Sequence, residues 1–100
     1  MTAQEFFDTL ESRVDTTKTA GMNNSYIFDI EGAGKWKVDV QDGQVSVTEG
    51  GEDADAVIST SAKTFEKIAS GEQNPTSAYM TGKLKVKGDM GAAMKLQKLF

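Results

Sequence analysis

Few side chains in this sequence could drive covalent chemistry. It holds no cysteine and no histidine, which excludes disulfides, thiolate metal sites, cysteine or histidine nucleophiles and imidazole general bases. The serines and threonines therefore have no histidine to activate them. Asp29, Glu31 and Asp39 are carboxylates on the outward positions of strand-like alternations, where charge ordinarily meets water. Asp53 and Asp55 lack the ligand spacing of a calcium loop. Gly32-Ala33-Gly34 is followed by no helix, so it is not a dinucleotide fingerprint. What remains is binding chemistry, and it concentrates in Asn74–Phe100. That stretch carries three of the five methionines (Met80, Met90 and Met94), five of the eleven basic residues and the only proline. Flexible, polarisable methionines suit a surface that fits variable apolar shapes, although they also serve as gap fillers in a core.

The element that must position these residues is the last helix, expected over Met90–Phe100 with Asp89 as its cap. On a wheel of about 100° per residue, Lys95 and Lys98 share a narrow wedge with Gly91, and Met90 and Met94 lie beside it. Ala93, Phe100, Leu96, Ala92 and Leu99 take most of the remainder, with Gln97 inside the apolar arc. A helix lying on a sheet needs an apolar stripe of a little over ~100°, and this arc is roughly twice that. A second apolar surface must meet it: another helix, a partner chain or a ligand. Gln97 stands out because a buried amide wants hydrogen-bond partners. They are either the protein backbone or the polar end of a bound lipid.

The preceding elements follow from local signals. Thr2 and Glu5 have capping-box spacing, and Ala3, Phe6, Phe7, Leu10 and Val14 recur on one face of a helix expected over 2–19. Strands follow at Tyr26–Ile30 and Trp36–Val40, with a third at Val45–Val47 reached through the hairpin signal Asp42-Gly43. Ala54–Thr60 makes a fourth, and together they read as a meander. Ser59, Thr60 or Ser61 caps a helix over roughly residues 62–70, whose apolar side holds Phe65 and Ile68. Asn74-Pro75 restarts the chain as an N-cap and a first-turn proline, opening a short helix at Thr76–Thr81. Lys83–Lys87 is a period-two strand with Leu84 and Val86 inward. The order α-ββββ-αα-β-α is that of an α+β domain, with helices covering one face of a five-stranded, mainly antiparallel sheet.

One hundred residues fit a single domain, 1–100, of ordinary water-soluble composition. Residues 1–82 carry a net charge of −8, and residues 83–100 carry +4. The acidic bulk argues against nucleic acid. The basic end could attract a phosphate or an anionic membrane surface. No apolar run reaches transmembrane length, and the first residues lack the basic flank and apolar core of a signal peptide.

The stretch Ala69–Phe100 closely resembles the C-terminal portion of the sterol carrier protein 2 domain. The resemblance rests on Gly71, Asn74-Pro75, Met80, Gly82-Lys83-Leu84, Lys87-Gly88-Asp89 and Met94-Lys95-Leu96. It implies an apolar tunnel between sheet and helices. It also implies non-catalytic binding, or transfer between membranes, of a fatty acid, acyl-CoA, sterol or phospholipid. Met80, Leu84, Met90, Met94 and Gln97 are then expected at the tunnel. Trp36, Ile58, Phe65, Ile68, Val86 and Phe100 complete the expected lining, with Lys95 and Lys98 as head-group or membrane contacts. No cofactor or metal is expected. The expected partners are the lipid and, transiently, a membrane surface, and the chain is expected to be a monomer or weak dimer. The sequence ends Lys98-Leu99-Phe100, unlike the peroxisomal tripeptides of some family members, so the expected location is the cytoplasm. The rival expectation is an interaction or accessory module whose apolar final helix packs on a partner protein without transferring lipid.

A tunnel of about 300 Å3, left empty and dry, costs roughly 7 kcal/mol at about 24 cal/mol per Å3. Domains hold only about 5–15 kcal/mol in total. The tunnel is therefore expected to be filled, hydrated or partly collapsed when no lipid is bound.

Overall fold

A computed structural model describes residues 2–100. The chain enters its first helix, α1 (Ala3–Arg13), through the capping box: Thr2 Oγ1 accepts from the Glu5 backbone N–H, and the Thr2 N–H donates to Glu5 Oε1. The Thr2 backbone N–H, followed by the Thr2 side chain, holds the Glu5 carboxyl below its usual range. The single helix expected over 2–19 breaks at Val14, which is extended at φ −62°, ψ 137°. The cause is local. Asp15 turns its carboxylate to the Thr17 N–H, 2.9 Å away, and caps a separate turn, α2 (Thr16–Thr19). Asp and Thr compete with the helical backbone in this way.

The sheet comprises β1 (Asn24–Glu31), β2 (Gly34–Gln41), β3 (Gln44–Glu49), β4 (Ala56–Ser61) and β5 (Leu84–Gly88). Asp42 and Gly43 both take positive φ, 50° and 80°, at the tip of the β2–β3 hairpin. That matches the turn whose twist suits a two-residue hairpin. The four-strand meander is corrected, however. The strand order is β3-β2-β1-β4-β5, so the chain leaves β3 at one edge, crosses the sheet, and lays β4 parallel to β1. The other pairings are antiparallel. This register sets Phe28 between Trp36 and Ile58, and sets Val86 beside Ile58. One face of the sheet thus carries a continuous apolar row.

The helices α3 (Ala62–Ala69) and α4 (Pro75–Met80) start where the sequence places their caps. Ser61 is the residue that caps α3, and Asn74 Oδ1 accepts from the N–H groups of Thr76 and Ser77. Between helices and sheet lies an aromatic cluster. Phe7 stacks on Trp36 at 4.6 Å and on Phe65 at 5.3 Å, and Phe6 stacks on Phe100 at 5.0 Å. Such pairs contribute about 0.5–1.5 kcal/mol each beyond their burial.

The final helix is shorter than its wheel assumed. Asp89 accepts from Gly91 and Ala92 and starts α5 (Met90–Met94), but Lys95 ends it at φ −85°, ψ −4°, and Leu96–Leu99 is a 310 turn. In a 310 helix, residues three apart eclipse. The switch therefore aligns Leu96 with Leu99, both 3% exposed, and turns them together into the core. Gln97 and Lys98 are left outside.

Candidate functional site

α4, β5 and α5 meet at the edge of the sheet around a cleft. Pro75, Thr76 and Tyr79 contribute from α4, Leu84 and Val86 from β5, and Met90, Ala93 and Met94 from α5; Leu96 and Gln97 close the end. The lining is apolar except for Thr76, Gln97 and the Tyr79 hydroxyl. Its geometry follows from the pieces already described. Pro75 at the first helical position and Tyr79 four residues on share one side of α4, since residues four apart are helix neighbours. The period-two alternation of β5 turns Leu84 and Val86 away from Lys85, which pairs with Ser59 on the other face.

The cleft offers about 40 Å3. That is room for one to a few waters by the measure of about 10–15 Å3 each, against about 300–1,000 Å3 for typical ligand pockets. The tunnel, expected to be filled, hydrated or partly collapsed without lipid, is not seen as such; a narrow cleft stands between α4, β5 and α5. The cause is how the end of the chain packs. Leu96 and Leu99 are sunk in the core, and Phe100 fills space beside Phe6 and Phe65.

Two contacts hold α5 and the following turn down. The Tyr26 hydroxyl donates to the Ala92 carbonyl at 2.5 Å. Burial, with the nearby negative charges of Asp55 and Asp89, pushes the Tyr26 hydroxyl up to about 12. Gln97 Nε2 donates to Thr76 Oγ1 at 2.9 Å, joining the final turn to α4. Gln97 is therefore neither buried nor bonded to backbone; it is an exposed latch between two elements that border the cleft.

Of the expected lining, Leu84, Val86, Met90, Met94 and Gln97 come together here. Trp36, Ile58, Phe65 and Ile68 are buried in the core and do not border the cleft. The Trp36 Nε1–H is buried without a hydrogen-bond partner among the described residues. Phe100 is half-buried, beside a separate shallow depression that it shares with Ile68. Met80 is 78% exposed and outside the cleft. Lys95 and Lys98 are exposed on the final turn. Sequence reasoning did not assign Pro75, Thr76, Tyr79, Ala93 or Leu96 to a site, although the i, i+4 spacing of Pro75 and Tyr79 was readable.

A roomier concavity lies on the outer sheet face, about 580 Å3, bordered by Asp29, Glu31, Ser59, Thr64, Lys83 and Lys85 among others. An apolar chain entering it would strip water from these charged and hydroxyl-bearing walls and offer no hydrogen bond in return. Among the described residues, no group of His, Cys, Asp or Glu is arranged to hold a metal ion, and no helix is long and apolar enough to cross a membrane.

An open five-stranded sheet, helices packed on its apolar face and a cleft at its edge define an α+β domain. The chain belongs to the SCP-2 sterol transfer family, whose model matches residues 4–100. It is 39% identical over 100 residues to hydroxysteroid dehydrogenase-like protein 2 of Xenopus tropicalis, covering 96% of this chain and 24% of that protein. The chain thus spans about a quarter of that relative's length. Among solved structures, the stereoselective inverting sec-alkylsulfatase of a Pseudomonas species superposes with a TM-score of 0.83 at 23% identity, over 100% of this chain and 16% of that one. Palmitated SCP2L2 from Aedes aegypti superposes with a TM-score of 0.77 at 20% identity, over 99% and 94%. The fold is that of the family, and the family suggests lipid binding and transfer.

Proposed function

We propose that this domain binds an apolar lipid, a fatty acid or fatty acyl group first among them, by opening the cleft between α4, β5 and α5. The observation that carries the reading is the cleft itself, walled by Leu84, Val86, Met90, Ala93 and Met94 in a chain of the SCP-2 sterol transfer family. The Aedes aegypti relative is palmitated, which supports an acyl chain as the ligand class. Binding needs no bond made or broken. Each methylene moved from water into apolar surroundings contributes about 0.8 kcal/mol, so a long chain can offset the cost of parting the walls. The room must grow roughly tenfold to reach the usual pocket range. The movable wall is α5, a single five-residue segment tethered by the Tyr26 and Gln97 hydrogen bonds and by the leucines of the final turn.

Native mass spectrometry of the purified domain, with a thermal-shift panel of fatty acids, acyl-CoAs, sterols and phospholipids, tests this. A bound lipid mass, or a rise in Tm with at least one class, is expected. No bound mass and no shift with any of them sinks the reading.

A second reading rests on chain lengths. In the Xenopus and Pseudomonas proteins the matching region is about a quarter and a sixth of a longer chain. There the domain would act as an accessory module, presenting an apolar substrate to a neighbouring enzyme. It keeps the same cleft and the same ligand class, and differs in where the lipid is released.

A further inference from the structure

The two edges of the sheet differ. At the β3 edge the Val47 backbone N–H donates to Glu11 Oε1 at 3.1 Å, so α1 caps the free side of that strand. At the β5 edge, among the described residues, no hydrogen bond joins the backbone of Leu84–Gly88 to anything outside its ladder with β4. An edge strand of this kind presents a row of unpaired N–H and C=O groups. The two sides of that row are chemically distinct. On the outer face stand Lys85 and Lys87, with Lys83 just before the strand, all exposed. The carboxylates of that face, Asp29, Glu31 and Asp39, belong to β1 and β2. On the inner face Val86 borders the apolar cleft, together with Tyr79 and Met90, each 42% exposed.

We infer that β5 accepts an extended, acidic segment of a partner protein as a sixth strand. Main-chain hydrogen bonds to β5 supply the attachment, and the two faces supply the selectivity, as in β-strand addition generally. Successive side chains of a strand point to opposite faces, so the segment that fits alternates. Its Asp or Glu side chains lie beside Lys85 and Lys87, and its apolar side chains meet the cleft beside Val86. A second copy of this chain is the poorer occupant. The outer positions 83, 85 and 87 are all lysine, so any register of β5 on itself sets lysine against lysine, and like charges directly opposite are destabilising. The inference goes beyond lipid binding, because the occupant is a polypeptide held through its backbone.

The test is an NMR titration of the isotope-labelled full chain with an acetylated, amidated heptapeptide alternating glutamate and valine. Fluorescence anisotropy of the labelled peptide gives the affinity. Shifts concentrated at Leu84–Gly88, Tyr79 and Met90 are expected. The same peptide with lysine in place of glutamate should not bind. Two further peptides are N-methylated on every valine or on every glutamate; one of them lacks the donors that face β5 and should lose binding. Lys85→Glu with Lys87→Glu should weaken the glutamate peptide on the order of tenfold and admit the lysine peptide. Both side chains are exposed, so Tm should match the parent. Lys35→Gln with Lys37→Gln, on β2, should leave the affinity unchanged. An absence of shifts at about 1 mM peptide overturns the proposal. So does equal binding by both N-methylated peptides, which leaves charge alone as the attraction, or light scattering that shows a dimer in which β5 is paired with itself. The lipid panel is read separately: a thermal shift with fatty acid and no strand addition leaves the proposed function intact and removes this inference alone.

Discussion

The Tyr26 hydroxyl and the Ala92 carbonyl are joined across 66 positions of sequence by a 2.5 Å hydrogen bond. One partner belongs to the central strand of the sheet and the other to the short helix beside the cleft. Replacing Tyr26 by Phe removes this donor, but the Ala92 carbonyl still accepts from the Lys95 N–H at 3.0 Å, so the cost is that of one hydrogen bond, about 0.5–1.5 kcal/mol. The pH dependence has a definite sign. The hydroxyl is raised to about 12 in the folded protein from an ordinary value of 10. Its contribution is therefore complete below pH 10 and is lost as the pH rises through 12, because the unfolded chain releases this proton first. Urea titrations from pH 8 to pH 12 should show parent and Y26F converging at the alkaline end. Lysine ionisation is common to both and cancels in the difference.

Gln97 and Thr76 latch the final turn to α4 through one exposed hydrogen bond. Gln97→Ala should change stability by no more than about 0.5 kcal/mol, as exposed substitutions generally do. It should nevertheless speed the exchange of a fluorescent fatty acid. A stopped-flow displacement rate equal to the parent's would show that the latch does not limit opening.

Ala93 is half-buried and lines the cleft beside Met90 and Met94. Ala93→Phe should fill the apolar space without disturbing the core beneath, and so abolish the thermal shift produced by fatty acid. Its own Tm should stay within a few degrees of the parent's. A retained shift would place the ligand elsewhere in the molecule.

Gly88 ends β5 and Gly82 precedes it, and together they separate two effects of glycine. Both have positive φ, 100° and 79°. A Cβ on Gly88 would collide with the Asp55 carbonyl oxygen, whereas one on Gly82 would meet nothing within 4 Å. Gly82→Ala should cost about 1 kcal/mol, the strain of a left-handed alanine. Gly88→Ala should cost several times more, because backbone must move and the β4–β5 edge opens. Chemical denaturation of the two variants side by side measures the difference.

Much of the fold was legible because its signals are local. Thr2 with Glu5, Asp42 with Gly43, Asn74 with Pro75, and Asp89 each act on residues within three or four positions. The parallel pairing of β4 with β1 was not legible. It joins residues about thirty apart, such as Tyr26 and Ala56, and alternation reveals which side of a strand is apolar but not its neighbour. The break at Lys95 was missed for a related reason. A wheel assumes one helical period throughout, while the burial of Leu96 and Leu99 rewards a tighter one. That error placed Gln97 inside an apolar arc. Met80 was joined to the site by the motif it belongs to, yet it lies at the end of α4 and faces water.

The strand order carries a consequence for how the molecule breathes. β5 is an edge strand attached to the sheet through β4 alone, and the segments on either side of it supply the cleft. The unit α4–β5–α5 can therefore part from the sheet while β1, β2 and β3 keep their ladder, since no hydrogen bond of that hairpin array passes through it. Subglobal opening of this kind is read by amide hydrogen exchange. The amides of Leu84–Gly88 and Ala93 should exchange as one group, faster than those of Phe28 and Val38. Lipid should slow the first group and leave the second untouched. Access for a ligand and the lowest-energy excursion of the native state would then be one and the same motion.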